Sequence, residues 1–500
     1  MTTPETLTLV CYFFVLSILG IYGWHRYYIV YQYMKHKDRV PGPPPPVSEW
    51  PVVTVQLPIY NEMYVVDRLI DAVVALDYPR ERFEIQVLDD STDETQQIAE
   101  LAVRRQVARG FDVKYLHRSD RTGYKAGALE AGMAVARGEF IAIFDADFLP
   151  PADFLTKTIP YFADDERLAV VQARWGHLNQ GYSLLTKVQA VLLDGHFVLE
   201  HGSRHRSGCF FNFNGTAGVW RRVAIADAGG WQHDTLTEDL DLSYRAQLRG
   251  WQFLFLPDLV TPAEVPVEMN AFKSQQHRWA KGSIQTCRKL LPYILLADLP
   301  LRVKVEAFFH LTANFNYLLM VALSILMFPA MVVRQEMGWT EMLLIDVPLF
   351  AAATFSVVNF YAFSQREAYP DWRTRVKYLP VVMAIGIGLA VNNAKAVIEA
   401  LFGDAGEFKR TPKYGIERRQ DEWQGKKYHQ SMPIQPLVEL ALGLYFTVTV
   451  LYALANDIYG TLPFLVLFQF GFLYMGLMSI VQQLRDDAVL VKTPQTAGGK

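Results

Sequence analysis

The chain has 500 residues, of which 51% are hydrophobic and 20% charged, and its formal net charge is −3. This length exceeds one ordinary core, so we expect two or more domains. The lack of bulk basicity argues against a nucleic-acid partner. The three cysteines (Cys11, Cys209 and Cys287) follow no metal-ligand spacing and are expected to be free thiols. The composition predicts a chain that is partly soluble and partly buried in a lipid bilayer.

The first apolar run, about Leu7 to Trp24, is long enough to cross a hydrocarbon core of roughly 30 Å. No basic residue precedes this run, whereas four follow it: Arg26, Lys35, Lys37 and Arg39. A secretory signal peptide has the reverse polarity. We therefore expect a retained anchor in the cell (inner) membrane, with the residues after Trp24 on the cytoplasmic side.

Further apolar segments follow residues 40 to 300, which contain no comparable run. They are Leu311–Val333, Leu343–Phe363, Leu379–Leu401, Leu437–Ala455 and Leu462–Val481. If all of them crossed the membrane, the strongly basic stretch 408–427 would lie outside. Residues 379–401 contain Asn392, Asn393, Lys395 and Glu399, as an interfacial amphipathic helix would. We predict five spans, with six as the alternative.

Residues 50 to 145 alternate short apolar runs with segments of helical periodicity. The predicted strands are 52–57, 84–88, 113–116 and 140–144, and the predicted helices are 65–76, 95–110 and 125–137. This alternation predicts a mostly parallel sheet with helices on both faces. In such sheets ligands bind at the carboxyl ends of the strands, which here carry the polar segments 58–62, 89–93 and 145–147.

Two of these segments, and a third further along the chain, carry paired acids. Asp145 and Asp147 follow a buried strand and could converge on Mg²⁺ or Mn²⁺, or simply form an acidic turn. Asp90 could bind a ligand beside a helix cap at Thr92 or Asp93. Residues 237–241 place acids at a helix start, where the helix dipole favours them and where Asp239 could act as a general base.

Other segments also have two interpretations. Tyr60 and Lys125 could contact a base and phosphates, or pack at the surface. In residues 275–279, Arg278 offers a fork for diphosphate oxygens and Trp279 a face for a sugar, although both could belong to a membrane-interface belt. Zinc ligands are a weaker interpretation of His196, His201 and His205 near Glu200, because Gly202 and Ser203 weaken a helix there.

In combination and in this order, eight blocks resemble processive family-2 glycosyltransferases, in particular the cellulose synthase superfamily and its cellulose-synthase-like mannan and glucomannan synthases. The blocks are QLPIYNE (56–62), QVLDDSTDET (86–95), GYKAGALE (123–130), IFDADF (143–148), VVQARW (170–175), FNGTAGVWR (213–221), TEDLDLSYR (237–245) and QQHRWAKG (275–282). The resemblance covers about residues 50 to 285. It implies an α/β GT-A (nucleotide-diphospho-sugar transferase) cytosolic domain joined to an α-helical multi-pass membrane domain.

The resemblance also implies roles for matching residues. Asp239 corresponds to the catalytic base, and Asp145 with Asp147 to the metal pair for Mg²⁺ or Mn²⁺. Donor-binding positions are Tyr60, Glu62, Asp90, Lys125, Asp145, Gln275 and Arg278. Acceptor-binding positions are Phe213, Asn214, Gly215, Thr216, Glu238 and Trp279. A gating loop is implied for Phe408, Thr411 and Lys413, with Arg410 where the family usually has valine.

The implied reaction is inverting, processive transfer from UDP-glucose or GDP-mannose to a growing β-linked glucan, mannan or glucomannan that moves across the membrane. A single transfer to a glycolipid is the alternative within the same chemistry, and a transporter or receptor with a soluble sensor domain is the non-enzymatic one. The expected partners are a nucleotide sugar, a glycan or lipid acceptor and the bilayer, with an accessory subunit left open. Candidate polar residues along a channel are Asn314, Asn316, Asp346 and Glu439.

The expected organisation follows from these spans and motifs. It comprises an N-terminal anchor (1–39), a cytosolic GT-A domain (40–285), an interfacial helix (286–305), two membrane helices (306–364), a cytosolic interfacial helix with the gating-like loop (365–433), two further membrane helices (434–484) and a cytosolic tail (485–500).

Overall fold

A computed structural model describes residues 2–338, 343–403, 406, 408–429 and 434–492, excluding the side chains of 343–347 and 486–492. Within these residues one sheet contains β1 (Val53–Ile59), β2 (Phe83–Asp89), β3 (Val113–His117), β4 (Phe140–Ile143), β5 (Leu168–His177), β6 (Gly218–Arg221) and β7 (Gln252–Ala263). Its helices are α2 (Val66–Val74), α3 (Thr95–Ala108), α4 (Tyr124–Val135), α5 (Phe154–Thr158), α6 (Tyr161–Asp164), α7 (Leu184–Asp194), α8 (Gly202–Ser207), α9 (Arg222–Asp227) and α10 (Glu238–Leu248).

The remaining helices precede or follow this α/β region. They are α1 (Thr3–Lys35), α11 (Met269–Leu296), α12 (Leu301–Thr312), α13 (Phe315–Glu336), α14 (Leu343–Ala368), α15 (Trp372–Arg375), α16 (Leu379–Gly388), α17 (Ala390–Phe402), α18 (Gln435–Ala455) and α19 (Leu462–Lys492).

The sheet has the order β3-β2-β1-β4-β6-β5-β7. The four predicted strands are confirmed as parallel neighbours, and the three predicted helices are confirmed as α2, α3 and α4. β6 runs antiparallel to both β4 and β5, whereas β5 and β7 are parallel. The sheet is therefore mixed. Apolar side chains cover both of its faces, in one core that includes α2, α3 and α5 and a second that includes α4, α9 and α10.

The register of the central strands brings their acidic ends together. Ile59 at the end of β1 is the partner of Asp89 at the end of β2, and the Asp90 N–H donates to the Ile59 carbonyl at 3.0 Å. On the other side of β1, the Phe144 N–H donates to the Gln56 carbonyl at 3.2 Å. The segments after β1, β2 and β4 therefore meet at one edge of the sheet, as the sequence predicts.

Among the described residues, four helical segments are long and apolar enough to cross a membrane: Thr3–Lys35, Phe315–Glu336, Gln435–Ala455 and Tyr459–Arg485. The predicted segment 379–401 forms two helices, part of a pair bent by 41° (Trp372–Gly388 and Ala390–Phe402), and it would be a fifth span if the pair crosses as one. The predicted span 343–363 lies in α14, which packs against α1. The choice between five and six spans stays a prediction.

Two helices extend further than the segments predicted from the sequence: α1 continues beyond the apolar run Leu7–Trp24, and α11 crosses a predicted domain boundary. The 33 residues of α1 extend roughly 50 Å, well beyond a hydrocarbon core of roughly 30 Å. Its last turns reach the α/β domain, where Ile29 and Tyr33 pack against Leu199. The boundary at 285/286 falls inside α11, so the QQHRW block shares one helix with residues 286–296 of the predicted interfacial segment, whose last residues begin α12.

A buried ion pair fixes α11 to the membrane helices. The Lys273 ammonium lies 2.5 Å from a Glu439 carboxylate oxygen and 2.7 Å from the Ser479 hydroxyl, and neither charged side chain is exposed. Asn392 of α17 also donates to the Lys273 carbonyl at 2.8 Å. The prediction that Glu439 lines a channel is therefore wrong, because its carboxylate is occupied by a lysine in the packed interior.

Removing one member of this pair would leave the other charge buried without its partner. Lys273→Met or Glu439→Leu should each destabilise the protein by roughly 3–5 kcal/mol, whereas the double variant should recover most of that loss. Melting temperatures of the purified protein in detergent would measure this. Additive losses in the double variant would contradict the pairing.

Candidate active site

A cavity of about 160 Å³ lies at the acidic edge of the sheet. Its walls come from the loops after β1, β2 and β4, the start of α10, the middle of α11 and the segment 408–413. The predicted site residues that line it are Tyr60, Glu62, Asp90, Lys125, Asp145, Asp147, Asn214, Gly215, Glu238, Asp239, Gln275, Arg278, Trp279, Phe408, Thr411 and Lys413. Residues separated by more than 300 positions in the chain thus share one pocket.

Asp145 and Asp147 each face a lysine. The Lys125 ammonium lies 2.5 Å from Asp145 Oδ1 and donates to the Gly215 carbonyl at 2.9 Å. Lys413 of the distant loop forms an ion pair with Asp147. Burial alone would lower the pKa of the Lys125 ammonium, but the carboxylates of Asp145 and Glu238 raise it above its ordinary value. Both acids are therefore held by cations in a restricted space.

The same two carboxylates fit a hard divalent cation. Mg²⁺ and Mn²⁺ prefer oxygen ligands, and Mg²⁺ commonly binds one or two carboxylates together with substrate phosphates. Within the part of the chain that the structure describes, no group of three or more His, Cys, Asp and Glu side chains could hold a metal ion. A cation at this pair would take its remaining oxygen ligands from water or from substrate phosphates.

Two arginines that the sequence analysis did not single out contact predicted donor residues. The Arg118 guanidinium donates to both oxygens of Asp90, at 2.8 and 2.5 Å. The Arg121 guanidinium lies 3.3 Å from the centre of the Tyr60 ring. The Arg121 guanidinium thus covers one face of the Tyr60 ring, and Arg118 forms a bidentate pair with Asp90. The only signal for these arginines was their position just before the GYKAGALE block.

Glu238 and Asp239 begin α10, where the positive end of the helix dipole favours acids. The Leu240 N–H donates to Asp239 Oδ1 at 2.8 Å, and the Ser243 hydroxyl donates to the Asp239 carbonyl at 2.5 Å. Burial and the neighbouring Glu238 charge raise the pKa of Asp239 to about 7. Asp239 can therefore gain and lose a proton near neutral pH.

Gln275, Arg278 and Trp279 lie together on α11 and face the cavity. The Arg278 guanidinium lies 4.4 Å from the centre of the Phe408 ring, and it donates to the Lys409 carbonyl at 3.4 Å. Burial lowers the pKa of Arg278, although nearby carboxylates oppose this shift. This helix therefore supplies both a buried cation and an indole face to the site.

The loop 408–413 covers the cavity. Phe408 stacks on Tyr124 with ring centres 5.9 Å apart. Arg410, the departure from the valine of the family, lies 3.6 Å from a Glu62 oxygen and 4.3 Å from the centre of the Tyr428 ring. Burial raises the pKa of Glu62 to about 7, and the Arg410 charge opposes this rise. Arg410 thus gives the buried Glu62 a counterion that valine could not provide.

Beyond Lys413 the chain is attached to the α/β domain by a carboxylate that sequence reasoning missed. The Tyr414 and Gly415 N–H groups each donate to Glu264, at 2.9 Å. The Tyr414 side chain is buried with Trp423 and Val267. Nothing in the local sequence of Glu264 distinguished it from a surface acid at the end of β7.

Two predicted acceptor residues lie elsewhere. Phe213 is fully buried in the core, with its ring edge-to-face against Trp220 at 5.7 Å, and it lines neither cavity. Thr216 is also fully buried, and its hydroxyl accepts a hydrogen bond from the Asp145 N–H at 2.9 Å. Thr216 therefore positions the Asp145 backbone, and the Phe213 ring packs against Trp220 in the core.

A second cavity of about 360 Å³ adjoins the first and extends between the membrane helices. Trp175, Asn214, Thr237, Asp239, Gln275 and Trp279 line both cavities. Of the predicted channel residues, Asn314 lines it and Asn316 does not, whereas the side chain of Asp346 lies outside the described residues. Its walls combine aromatic and polar side chains, including Tyr317, Phe360 and Tyr361.

The histidines at 196, 201 and 205 do not converge on a metal. His201 Nε2 lies 2.9 Å from the Asn212 carbonyl oxygen, and burial lowers the pKa of His201 well below its ordinary value. His196 contacts Glu200 and Asn214 instead. A neutral His201 therefore donates to the backbone.

A family model described as "Glycosyltransferase like family 2" matches residues 51–282. This segment is a family-2 glycosyltransferase domain. The chain is 40% identical over 320 residues to glucomannan 4-beta-mannosyltransferase 1 from Cyamopsis tetragonoloba, an alignment that covers 62% of this chain and 60% of the relative. It is 46% identical over 252 residues to glucomannan 4-beta-mannosyltransferase 2 from Arabidopsis thaliana, covering 50% of this chain and 47% of the relative.

The glycosyltransferase domain also has a structural neighbour. A mannosyltransferase from Pyrobaculum calidifontis, solved in complex with GDP-Man and Mn2+, superposes with a TM-score of 0.51 at 20% identity, covering 78% of this chain and 98% of the neighbour. This likeness confirms the GT-A fold. The chain spans about half to three fifths of the curated relatives that it matches. Its apolar helices make it a membrane protein with a GT-A domain.

A substitution at Gly215 can test how tightly the site is packed. Its φ is +79°, and an added Cβ would lie 3.0 Å from Asp239 Oδ2 and 3.3 Å from the Lys125 ammonium. Gly215→Ala should destabilise the domain by about 1–2 kcal/mol because an L side chain is strained in this conformation. The control is Gly181→Ala, whose Cβ would meet no atom within 4 Å. Equal melting temperatures for the two variants would contradict the close packing at Gly215.

Proposed function

We propose that this protein is an inverting, processive β-glycosyltransferase that extends a β-linked mannan, glucan or glucomannan from GDP-mannose or UDP-glucose and moves the product across the membrane. The observation that carries the proposal is that Asp147, Asp239 and Arg278 share one cavity, and that this cavity shares a wall, including Asp239 and Trp279, with a second cavity among the apolar helices. The mannosyltransferase names of the relatives support a mannosyl donor.

The proposed chemistry is a single displacement. Asp239 takes the proton of an acceptor hydroxyl, and that oxygen forms a bond to the anomeric carbon as the bond to the nucleoside diphosphate breaks. The diphosphate leaves with the electron pair, so its charge increases in the transition state. Arg278 and the lysines at 125 and 413 line the cavity, where preorganised cations stabilise such charge strongly. One displacement inverts the anomeric centre, so an α-linked donor gives a β-linked product.

Asp145 and Asp147 are the residues that would hold Mg²⁺ or Mn²⁺. When bound, the cation would help to neutralise the diphosphate of the donor. The lysine partners of both aspartates lie where they can contact phosphate oxygens once the donor is present. The Mn2+ in the structural neighbour supports a divalent ion without distinguishing the two metals.

The second cavity supports movement of a polymer. A polysaccharide is too polar to cross hydrocarbon unaided. Aromatic rings can stack on sugar faces, and the rings of Trp279, Tyr317 and Tyr361 line this cavity beside Asp239. Each addition at the end near Trp279 would therefore push the chain towards the membrane helices.

Contacts on both sides of the bent helix pair support the cytoplasmic location and the five-span count. At the start of the pair, Arg375 donates to Gln180 of the glycosyltransferase domain at 3.2 Å. After it, the Lys409 carbonyl contacts Arg278. Both ends therefore meet the same domain, as expected for a segment that lies along one face of the bilayer. The basic stretch 408–427 is on that side, which the positive-inside rule assigns to the cytoplasm.

The base assignment predicts a pH profile. Since Asp239 must be ionised to accept a proton and its pKa is about 7, the transfer rate should rise with pH through a midpoint near 7. Glu238→Gln should move this midpoint to lower pH, because removal of the adjacent negative charge lowers the pKa of Asp239.

Asp239→Asn should abolish transfer while nucleotide binding, measured by calorimetry, stays nearly unchanged. Transfer by Asp239→Asn at the wild-type rate would remove Asp239 from this role.

A donor screen tests the whole proposal. Purified protein in nanodiscs is given radiolabelled GDP-mannose or UDP-glucose, with Mg²⁺, Mn²⁺ or a chelator. We expect a β-linked, high-molecular-weight product that requires a divalent ion and is absent with Asp239→Asn. A product that is soluble only in chloroform–methanol would instead establish single transfer to a lipid. If neither GDP-mannose nor UDP-glucose is consumed under any of these conditions, glycosyl transfer from these donors is rejected.

A further inference from the structure

A π-helical turn separates α7 from α8 and spans Gly195–His201. π-helical turns are rare, and they occur frequently at functional sites. This one presents two histidines to the segment Asn212–Gly215, which precedes β6 and borders both cavities. His201 Nε2 lies 2.9 Å from the Asn212 carbonyl oxygen, and His196 Nε2 lies 2.9 Å from the Asn214 side-chain nitrogen. The turn therefore holds this segment at two points.

The contacts of His196 determine which ring nitrogen carries the proton. His196 Nδ1 lies 2.9 Å from Glu200 Oε2, and an ionised carboxylate can only accept. Burial would raise the pKa of Glu200, but the Arg204 guanidinium and the hydrogen bond from His196 hold it well below its ordinary value. Nδ1 therefore donates to Glu200. In the neutral ring, Nε2 is then an acceptor that can receive a hydrogen from the Asn214 amide.

This arrangement fixes the orientation of Asn214. One N–H of its amide points to His196, and this contact fixes the position of the side-chain oxygen. Asn214 Oδ1 is buried, and it accepts no hydrogen bond from any of the described residues. A buried acceptor without a partner is costly, and a sugar hydroxyl is a suitable donor. Asn214 lines both cavities, at the junction that an acceptor would occupy in the proposed function.

We infer that His196, oriented by Glu200, is a positioning residue that turns the Asn214 amide so that its oxygen accepts a hydrogen bond from a hydroxyl of the acceptor glycan. The inference rests on the proposed function and deepens it. The ring of His196 lines the second cavity and not the first, and its two nitrogens are directed to Glu200 and Asn214, so we assign its effect to Asn214. Its removal should therefore affect acceptor use and leave donor binding unchanged.

The test measures transfer to a soluble manno- or cello-oligosaccharide, with the donor that the wild-type protein uses, in nanodiscs. His196→Ala should raise the acceptor concentration at half-maximal rate about tenfold, the typical effect of losing one oriented hydrogen bond, without raising the donor KM. His196→Gln should retain most of the acceptor affinity, because its side-chain oxygen can accept from the Asn214 amide. His205→Ala, a histidine of the following helix that lines neither cavity, is the matched control and should behave as wild type.

A double-variant cycle decides between positioning and a purely structural role. If His196 acts through Asn214, then His196→Ala should add nothing to the loss already caused by Asn214→Ala. Additive losses, or an equal rise in donor KM, would overturn the inference. Should His196→Ala fail to fold, the comparison of His196→Gln with Asn214→Ala gives the same decision, since the first should keep acceptor affinity and the second should lose it.

The same assay separates this inference from the proposed function. A wild-type protein that transfers no sugar to any glycan would reject the function. A wild-type protein that elongates the oligosaccharide, with His196→Ala and His196→Gln indistinguishable from it, would reject only the role of His196.

Discussion

Repulsion among carboxylates is the constraint around which the site is built. Asp145, Asp147, Glu238 and Asp239 line one cavity of about 160 Å³, and like charges confined to such a space cannot all ionise without nearby cations. The cations that face these carboxylates are Lys125 of α4, Arg278 of α11 and Lys413, which lies 266 residues beyond Asp147 in the chain. Burial and the neighbouring Glu238 charge raise the pKa of Asp239, and the Lys125 charge only partly opposes this rise.

Each of these cations depends on an element that is itself fixed elsewhere. α11 holds Arg278 in place, and the buried Lys273–Glu439 pair attaches that helix to α18. Glu264 holds the loop that carries Lys413. The membrane helices therefore contribute to the electrostatics of a site that lies outside them. This dependence explains why a single helix contains both the donor-facing residues and the membrane anchor point.

The sequence predicted the parts of this molecule that are periodic or local. Four strands, three helices and the acidic strand ends followed from alternation and from the behaviour of parallel sheets. Most of the predicted residues that line the cavity were named because their motifs resemble those of a known family. The antiparallel β6 has only four residues, and its pairing with β4 and β5 depends on contacts that no local pattern specifies.

Errors at single residues had a common cause. Glu439 looked like a channel residue because an acid among apolar residues suggests a polar path, yet its partner Lys273 lies 166 positions away. Phe213 and Thr216 flank Asn214 and Gly215, which line the cavity, but their own side chains are fully buried in the core. Long-range pairing and backbone handedness are properties of the folded chain that residue types alone do not encode.

The loop 408–415 combines a motif that the sequence reveals with long-range contacts that only the folded chain shows. Its near end contacts groups that line the first cavity: Phe408 lies on Arg278 and Arg410 pairs with Glu62. Its far end is held by Glu264, which is not part of the cavity wall. Movement of the near end would open this cavity and expose Glu62 to water, while the far end stays attached. The arginine at the valine position therefore makes opening depend on an ion pair, where the usual residue would offer only apolar contact.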